Sequence, residues 1–287
     1  MSILPDMMLS SDLKVDPFYL NDIPELKPDS AEVAYYHAIM NRIPEPDRTA
    51  IKEIYSERGK LIQRLKPTSK ELLKYKYQWY MQDYLASVAS VDENIGRVLD
   101  HLKKTGTDKN TMIVYTSDQD FFLGENGWFD KRFMYDVSMH TPLIIKWPGV
   151  IEPGTTSNEM VQNIDFAPTL LDVAFLKTPH WMHGKSIKPL LINAKAKIAR
   201  PYLYYHFYEY NADHTVLPHL GIRGDQHKLI YFYTVNEWEL YDLKSDPHEQ
   251  NNLVNSQKHL TTVNRLKKEL IKARKKYDDR EPAGVLK

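Results

Sequence analysis

"TMIVYTSDQDFFLGENGWFDKR", residues 111–132, opens as a run of apolar, β-branched and aromatic side chains. It then breaks into Ser-Asp-Gln-Asp, two glycines and a Lys-Arg pair. The first six residues have the length and content of a buried strand. A second apolar run, "TPLIIKW" (141–147), follows and is closed by Pro148-Gly149. Upstream, Ser69 to Leu102 reads as a long amphipathic helix. Leu85, Val88, Val91, Ile95, Val98, Leu99 and Leu102 recur at helical spacing, and Gly106 supplies a stop. Downstream, "DFAPTLLDVAFL" (165–176) reads as a short helix with Pro168 in its first turn. Helix, strand, loop, strand, helix is the alternation of an α/β layer, so the fold class expected is α/β with a mostly parallel sheet and flanking helices.

The pattern changes near Arg200, which divides the chain into an α/β portion, 1–199, and a C-terminal subdomain, 200–287. "PYLYYHFYEY" (201–210) is dense in aromatics, "GIRGDQHKLIYFY" (221–233) carries a glycine-marked turn before a strand, and "EWELYDL" (237–243) is another short strand. Strands this close in sequence predict a small antiparallel sheet. Val254 to Tyr277 predicts a final helix with a buried stripe of Leu260, Val263, Leu266, Leu270 and Ala273 and a basic, solvated outer face. At the other end, Met1 to Pro46 is Pro-rich and aperiodic and reads as loop, with polar helical sequence following through Lys60.

Composition narrows the function. Over 287 residues, Lys plus Arg and Asp plus Glu balance at 38 each, so no global field draws the chain to nucleic acid. No apolar run approaches the roughly 18 residues of a membrane span, and Pro5, Asp6, Asp12 and Asp16 interrupt the start where a signal peptide needs continuous hydrophobicity. Cysteine is absent, which excludes disulfides, thiolate metal sites and any cysteine-derived nucleophile in these residues.

In open α/β sheets, ligands bind beyond the carboxyl ends of strands, and Asp118 and Gln119 stand there. A carboxylate beside an amide carbonyl offers two hard oxygen donors, suited to Ca²⁺ or Mg²⁺ rather than zinc. Lys131 can bring an ammonium to the same rim to stabilise an anion. The residues leave a plainer alternative open, in which Asp118 caps the next helix and Lys131 is solvated.

The stretch "YTSDQDFFLGENGWFDKRFMYDVSMHTPLII" (115–145) closely resembles the Ser-Asp-x-Gly, Gly-Glu-His-Gly, Asp-Lys-Arg and Pro-Leu-Ile-Ile series of the sulfatases, in the alkaline-phosphatase-like superfamily. "YLASVASVDENIGRVLDHL", "NIDFAPTLLDVA", "HGKSIKPLL", "GIRGDQHKLIYFY" and "WELYDLKSDPHEQNNL" extend the resemblance in family order from about Lys74 to Leu253. The variant is most similar to the N-acetylglucosamine-6-sulfatases and related glycan sulfatases. It implies a partial alkaline-phosphatase-like core, with Asp118 and Gln119 as ligands of an active-site calcium and Lys131 on the sulfate group. His214, His219 and Arg223 become candidate contacts for a sulfated sugar. Family members attack sulfur with a formylglycine made from a Cys/Ser-x-Pro/Ala-x-Arg motif, and no such motif occurs here. The early Asp-Asp ligands and the middle Lys and His residues of the family are also missing, and "YDDREP" (277–282) reads as a solvated tail.

The resemblance therefore implies the back portion of a sulfuric ester hydrolase for sulfated sugars, with an incomplete calcium site and no activity alone. It further implies exposed apolar surface that needs the missing N-terminal segment or self-association. Relatives are commonly exported or lysosomal. Asp120 stands where the family usually has glycine, Asn126 where it has histidine, and His140 where arginine is common. These departures keep a second expectation alive, a non-catalytic pseudo-sulfatase or split-gene product with a glycan-binding role. Phosphoester hydrolysis within the superfamily ranks last, since no Asp-His metal pair stands at Asp118.

Overall fold

A computed structural model describes residues 30–209 and 216–281. The chain divides into two compact units, one of residues up to Val98 with Leu123–Phe129, the other of Leu99–Phe122 with Asp130 onward.

The first unit is helical, with α1 (Ser30–Arg42), α2 (Asp47–Leu65) and most of α3 (Ser69–Thr105). The Pro-rich reading of the opening residues missed α1, while 1–29 lie outside the described residues. Ile62 of α2 packs on Leu72 and Trp79 of α3 in a small core. Arg58 locks the pair from the side, donating to both Asp83 carboxylate oxygens at 2.8 and 2.6 Å, with its guanidinium 5.5 Å from the Trp79 ring. The predicted α3 helix forms, and along its apolar stripe Leu85, Val88, Val91 and Val98 are all exposed.

In the second unit β1 (Ile113–Thr116) forms where the apolar run predicts it. Two two-residue strands, β2 (Phe122–Leu123) and β3 (Phe129–Asp130), lie where the chain crosses between the units on either side of the glycine-containing turn, and in the second unit the one-turn helix α4 (Asp136–Met139) leads into β4 (Leu143–Lys146). β1 pairs with β4 in antiparallel register, Val114 opposite Ile145 and Tyr115 opposite Ile144. The expected α/β class holds, but β1–β4 and the three pairs of the C-terminal sheet are all antiparallel, where the alternation predicts mostly parallel pairing. Then come α5 (Phe166–Val173) and α6 (Lys188–Ile192). Fully buried Asp165 at the foot of α5 receives both guanidinium nitrogens of Arg200 at 2.5 and 2.6 Å and the backbone N–H groups of Gln162 and Lys185. One carboxylate thus joins three loops, and every acceptor site on it is used.

The C-terminal subdomain is an antiparallel sheet of four strands, β5 (Leu203–Phe207), β6 (His219–Arg223), β7 (His227–Phe232) and β8 (Glu237–Asp242), in sequence order, with α7 (Leu260–Lys276) across one face. Leu220, Ile222, Leu229 and Leu240 meet Val263, Leu266 and Leu270 in its core. Leu260, expected in the α7 stripe, is exposed at the first helical position. Lys267 lies 4.1 Å over the Trp238 ring. The predicted solvated tail is also corrected: the Asp279 side chain is buried, Nδ1 of His206 sits 2.6 Å from it, and the Tyr204 hydroxyl donates to it.

Candidate active site

All the described candidates lie in the second unit. Ser117 sits just past β1 and donates through Oγ to the Gln119 carbonyl at 2.7 Å, tightening the turn that presents Asp118. Asp118 is exposed and Gln119 half-buried. The Gln119 amide nitrogen donates to the Ser138 carbonyl at 2.9 Å and to Ser138 Oγ at 3.3 Å. Because these partners accept, the amide orientation is fixed and Oε1 is the atom left to offer a ligand. Asp120 is used locally: its Oδ1 accepts the Phe121 N–H at 2.9 Å.

Ser138 is fully buried in α4 and is the junction of the site. Besides Gln119, it takes the Asp120 N–H on its carbonyl and the Arg132 N–H on Oγ, each at 3.2 Å. Arg132 and Asp130 both have left-handed backbone conformations, φ 98° and 77°, and their side chains form an ion pair. Half-buried Lys131 is therefore presented from a strained corner clamped on both sides. Such strain costs about 1–3 kcal/mol per residue and persists only where surroundings over-determine it. The surroundings here are Ser138, the ion pair, and the Tyr205 hydroxyl donating to the Arg132 carbonyl at 2.8 Å.

The sheet holds this corner through three further links. The Met134 N–H donates to Nε2 of His219 at 3.2 Å, while His219 Nδ1 donates to the Leu217 carbonyl at 2.8 Å. With both ring nitrogens occupied, no exposed surface, and Phe133, Tyr205, Phe207 and Phe232 around it, His219 has no atom to give a sugar. Its expected role as a substrate contact is replaced by a structural one, and burial pushes its pKa down to about 4. The Asp136 N–H donates to Glu249 at 2.6 Å, and buried Lys228 bridges Asp136 and Glu249 at 2.6 and 2.7 Å. Arg223 pairs with Asp136 at 3.0 Å and remains partly exposed. His214 lies outside the described residues.

Gly221 lets the Lys131 segment pass over β6. A Cβ there would come within 2.4 Å of the Leu229 carbonyl and 2.6 Å of Met134 Sδ. Gly221→Ala is expected to cost about 1–3 kcal/mol by overpacking, read as a lowered urea midpoint at unchanged slope; an unchanged midpoint would show that β6 and Met134 can separate freely.

A trough of about 1830 Å³ opens beside these groups, lined by Asp118, Gln119, Asp136, Arg223 and Lys228 and, farther along the chain, by His206 and Asp279. Lys131 is not among the lining residues, so Asp118 and Gln119 share a surface that Lys131 joins only through Arg132 and Ser138. Among the described residues no group of three or more His, Asp or Glu side chains is placed to hold a metal ion. Asp118 and Gln119 Oε1 fit a hard cation in chemistry, yet two side chains fall short of the 6–8 oxygens calcium takes.

A family model described as "Sulfatase" matches residues 36–175, and one described as "N-sulphoglucosamine sulphohydrolase, C-terminal" matches 124–276. The chain belongs to the sulfatase family. It is 45% identical over 249 residues to the N-acetylglucosamine-6-O-sulfatase of Bacteroides thetaiotaomicron, covering 86% of this chain and 45% of that protein. It is 31% identical over 238 residues to an arylsulfatase of Clostridium perfringens, covering 80% and 47%. A protein solved in complex with its substrate D-glucosamine-2-N,6-O-disulfate matches this sulfatase chain with TM-score 0.82 and 40% identity, over 96% of this chain and 58% of that one. The chain thus spans under half the length of these two curated relatives.

Proposed function

We propose that this chain forms the metal-rim and substrate-side portion of a hydrolase of sulfate esters on amino sugars. The observation that carries the proposal is the meeting of Gln119 and the Lys131 corner on one buried serine, Ser138. Relatives with 45% and 40% identity, one named for N-acetylglucosamine 6-O-sulfate and one solved with a sulfated glucosamine, support the substrate class.

In this reading Asp118 and Gln119 Oε1 hold part of the coordination sphere of Ca²⁺, which supplies positive charge beside the sulfate oxygens when bound. Lys131 stabilises the anionic group through its ammonium, and Arg223 faces the sugar side of the trough. These 287 residues hold no cysteine and no Ser-x-Pro/Ala-x-Arg segment, so in this reading the chain alone is expected to release no sulfate. Asp120, where the family usually has glycine, favours a second reading in which the chain binds glycans without turnover.

The test is a chimera joining this chain to the part of the Bacteroides relative that it does not match. Sulfate release from glucosamine 6-sulfate, abolished by a chelator, is expected, with Lys131→Met lowering kcat/KM roughly 100-fold, as for loss of one preorganised charge-stabilising group. A folded chimera that binds the sugar without turnover would favour the second reading, and full activity in Lys131→Met would remove Lys131 from the site.

A further inference from the structure

Seven of the 17 residues of α7 are Lys or Arg and one, Glu269, is acidic, in a chain whose charges balance at 38 each. At about 100° of turn per residue, Arg265, Lys268, Lys272, Lys275 and Lys276 fall within about 100° of arc, on the side of the helix away from buried Val263, Leu266 and Leu270. All five are exposed. With a rise of about 1.5 Å per residue the stripe runs about 16 Å along the axis. Two ordinary causes of charge on a helix do not account for it. Cations complement the negative end of a helix dipole within its last turn, which covers Lys275 and Lys276 but not Arg265 or Lys268. A solvated face usually carries both signs, in Glu and Lys pairs three or four residues apart. Here the helix has one acid to offer, and Glu269 pairs with Lys272 at 2.7 Å.

We infer that this stripe is a binding surface for a sulfated polysaccharide chain, separate from the Asp118 and Gln119 end of the trough. A row of fixed cations takes a linear polyanion by releasing the counterions condensed on it. The choice among polyanions follows from where the helix leads. The Lys276 ammonium lies 4.7 Å over the Tyr277 ring, Tyr277 stacks on Tyr204 with ring centres 5.7 Å apart, and Tyr277 through Glu281 line the trough. A chain laid along α7 therefore runs on toward the cavity proposed to take its sulfated sugar. Holding the polymer there raises the local concentration of its sugar units at the trough without a new contact inside it. The naming of a glycan rests on the hydrolase reading; the stripe itself does not.

Titration of the full chain with heparin, a sulfated glucosamine-containing polymer, over a salt series tests the inference. Lys268→Gln, Lys272→Gln and Lys275→Gln together are expected to weaken binding by about tenfold or more near about 0.1 M salt, and to lower the slope of log Kd against log salt by about 2–3. A control losing the same charge at exposed Lys103, Lys104 and Lys109 is expected to stay within about twofold of the parent. All six side chains are exposed, so both variants are expected to melt with the parent. Equal losses in the two variants overturn the proposal by assigning binding to net charge, and a parent that does not bind heparin overturns it outright. Stripe-dependent binding to duplex DNA or to phosphatidylserine vesicles that is tighter than binding to heparin also overturns it, by making another polyanion the occupant. None of these titrations involves turnover. A chimera that binds heparin through the stripe but releases no sulfate counts against the hydrolase reading alone, and a chimera that releases sulfate with an idle stripe counts against this surface alone.

Discussion

Lys228→Met is expected to lower the stability of the second unit by about 3–5 kcal/mol, the range for removing one partner of a buried ion pair. The Lys228 side chain is 1% exposed, and its ammonium lies 2.6 Å from Asp136 and 2.7 Å from Glu249. Burial alone would raise the Asp136 pKa, but Lys228 and Arg223 outweigh it and hold the carboxyl down to about 2. At Glu249 burial prevails over Lys228 and the pKa is raised. Without the ammonium, two carboxylates face each other with little water, and Arg223, partly exposed, reaches only Asp136. Methionine fills most of the stem's volume, so the loss is electrostatic rather than a cavity. Urea denaturation gives the difference. Lys228→Met with Glu249→Gln should recover a sizeable part, since one of the two unpaired charges is gone. A single variant within 1 kcal/mol of the parent, or a double variant worse than the single, would show that the cluster is not what anchors α4. Because α4 carries Ser138, the same change should loosen Gln119 and the Lys131 corner.

The elements legible in the sequence were those set by local period. β1, β4, α3, α5 and α7 all form where apolar spacing places them, and Gly106 ends α3 with φ 71°. β6 escaped because His219, Gly221 and Arg223 alternate with Leu220 and Ile222; the glycine suggests a turn when its actual work is a close crossing with Met134. The strand end at Asp118 was readable, since a polar cluster after a buried run is unusual. Its supports were not. Ser138, 19 residues from Gln119, and Glu249, 113 from Asp136, are joined by topology, which no spacing rule encodes. The α3 stripe shows what period leaves out: it reveals which face is apolar, but not whether these residues cover it. Asp279 looked like part of a solvated run because composition cannot distinguish it from exposed Asp278, its neighbour.

His219 predicts an acid-sensitive fold. Its ring must stay neutral: Nε2 accepts from the Met134 N–H, so a second ring proton would break that bond and place a charge among four aromatic rings. Burial takes its pKa from 6.5 to about 4. The sign follows from proton uptake. Between those values the unfolded chain binds a proton that the folded chain refuses, so stability is full above pH 6.5 and falls as pH drops toward 4. At about 1.4 kcal/mol per pKa unit the loss approaches roughly 3 kcal/mol. His206, lowered by burial despite Asp279, acts in the same direction, whereas Glu239 and Glu249, raised by burial, act in the opposite one. The diagnostic quantity is therefore the difference between parent and His219→Gln, whose amide does not titrate but can accept from Met134. The variant should be less stable at pH 7.5, and the gap should narrow steadily below pH 6.5 in urea midpoints measured at half-unit steps. Parallel profiles for the two proteins would mean that the ring accepts its second proton at the ordinary pH. The sheet would then yield at Met134, and the clamp on the Lys131 corner would not be rigid.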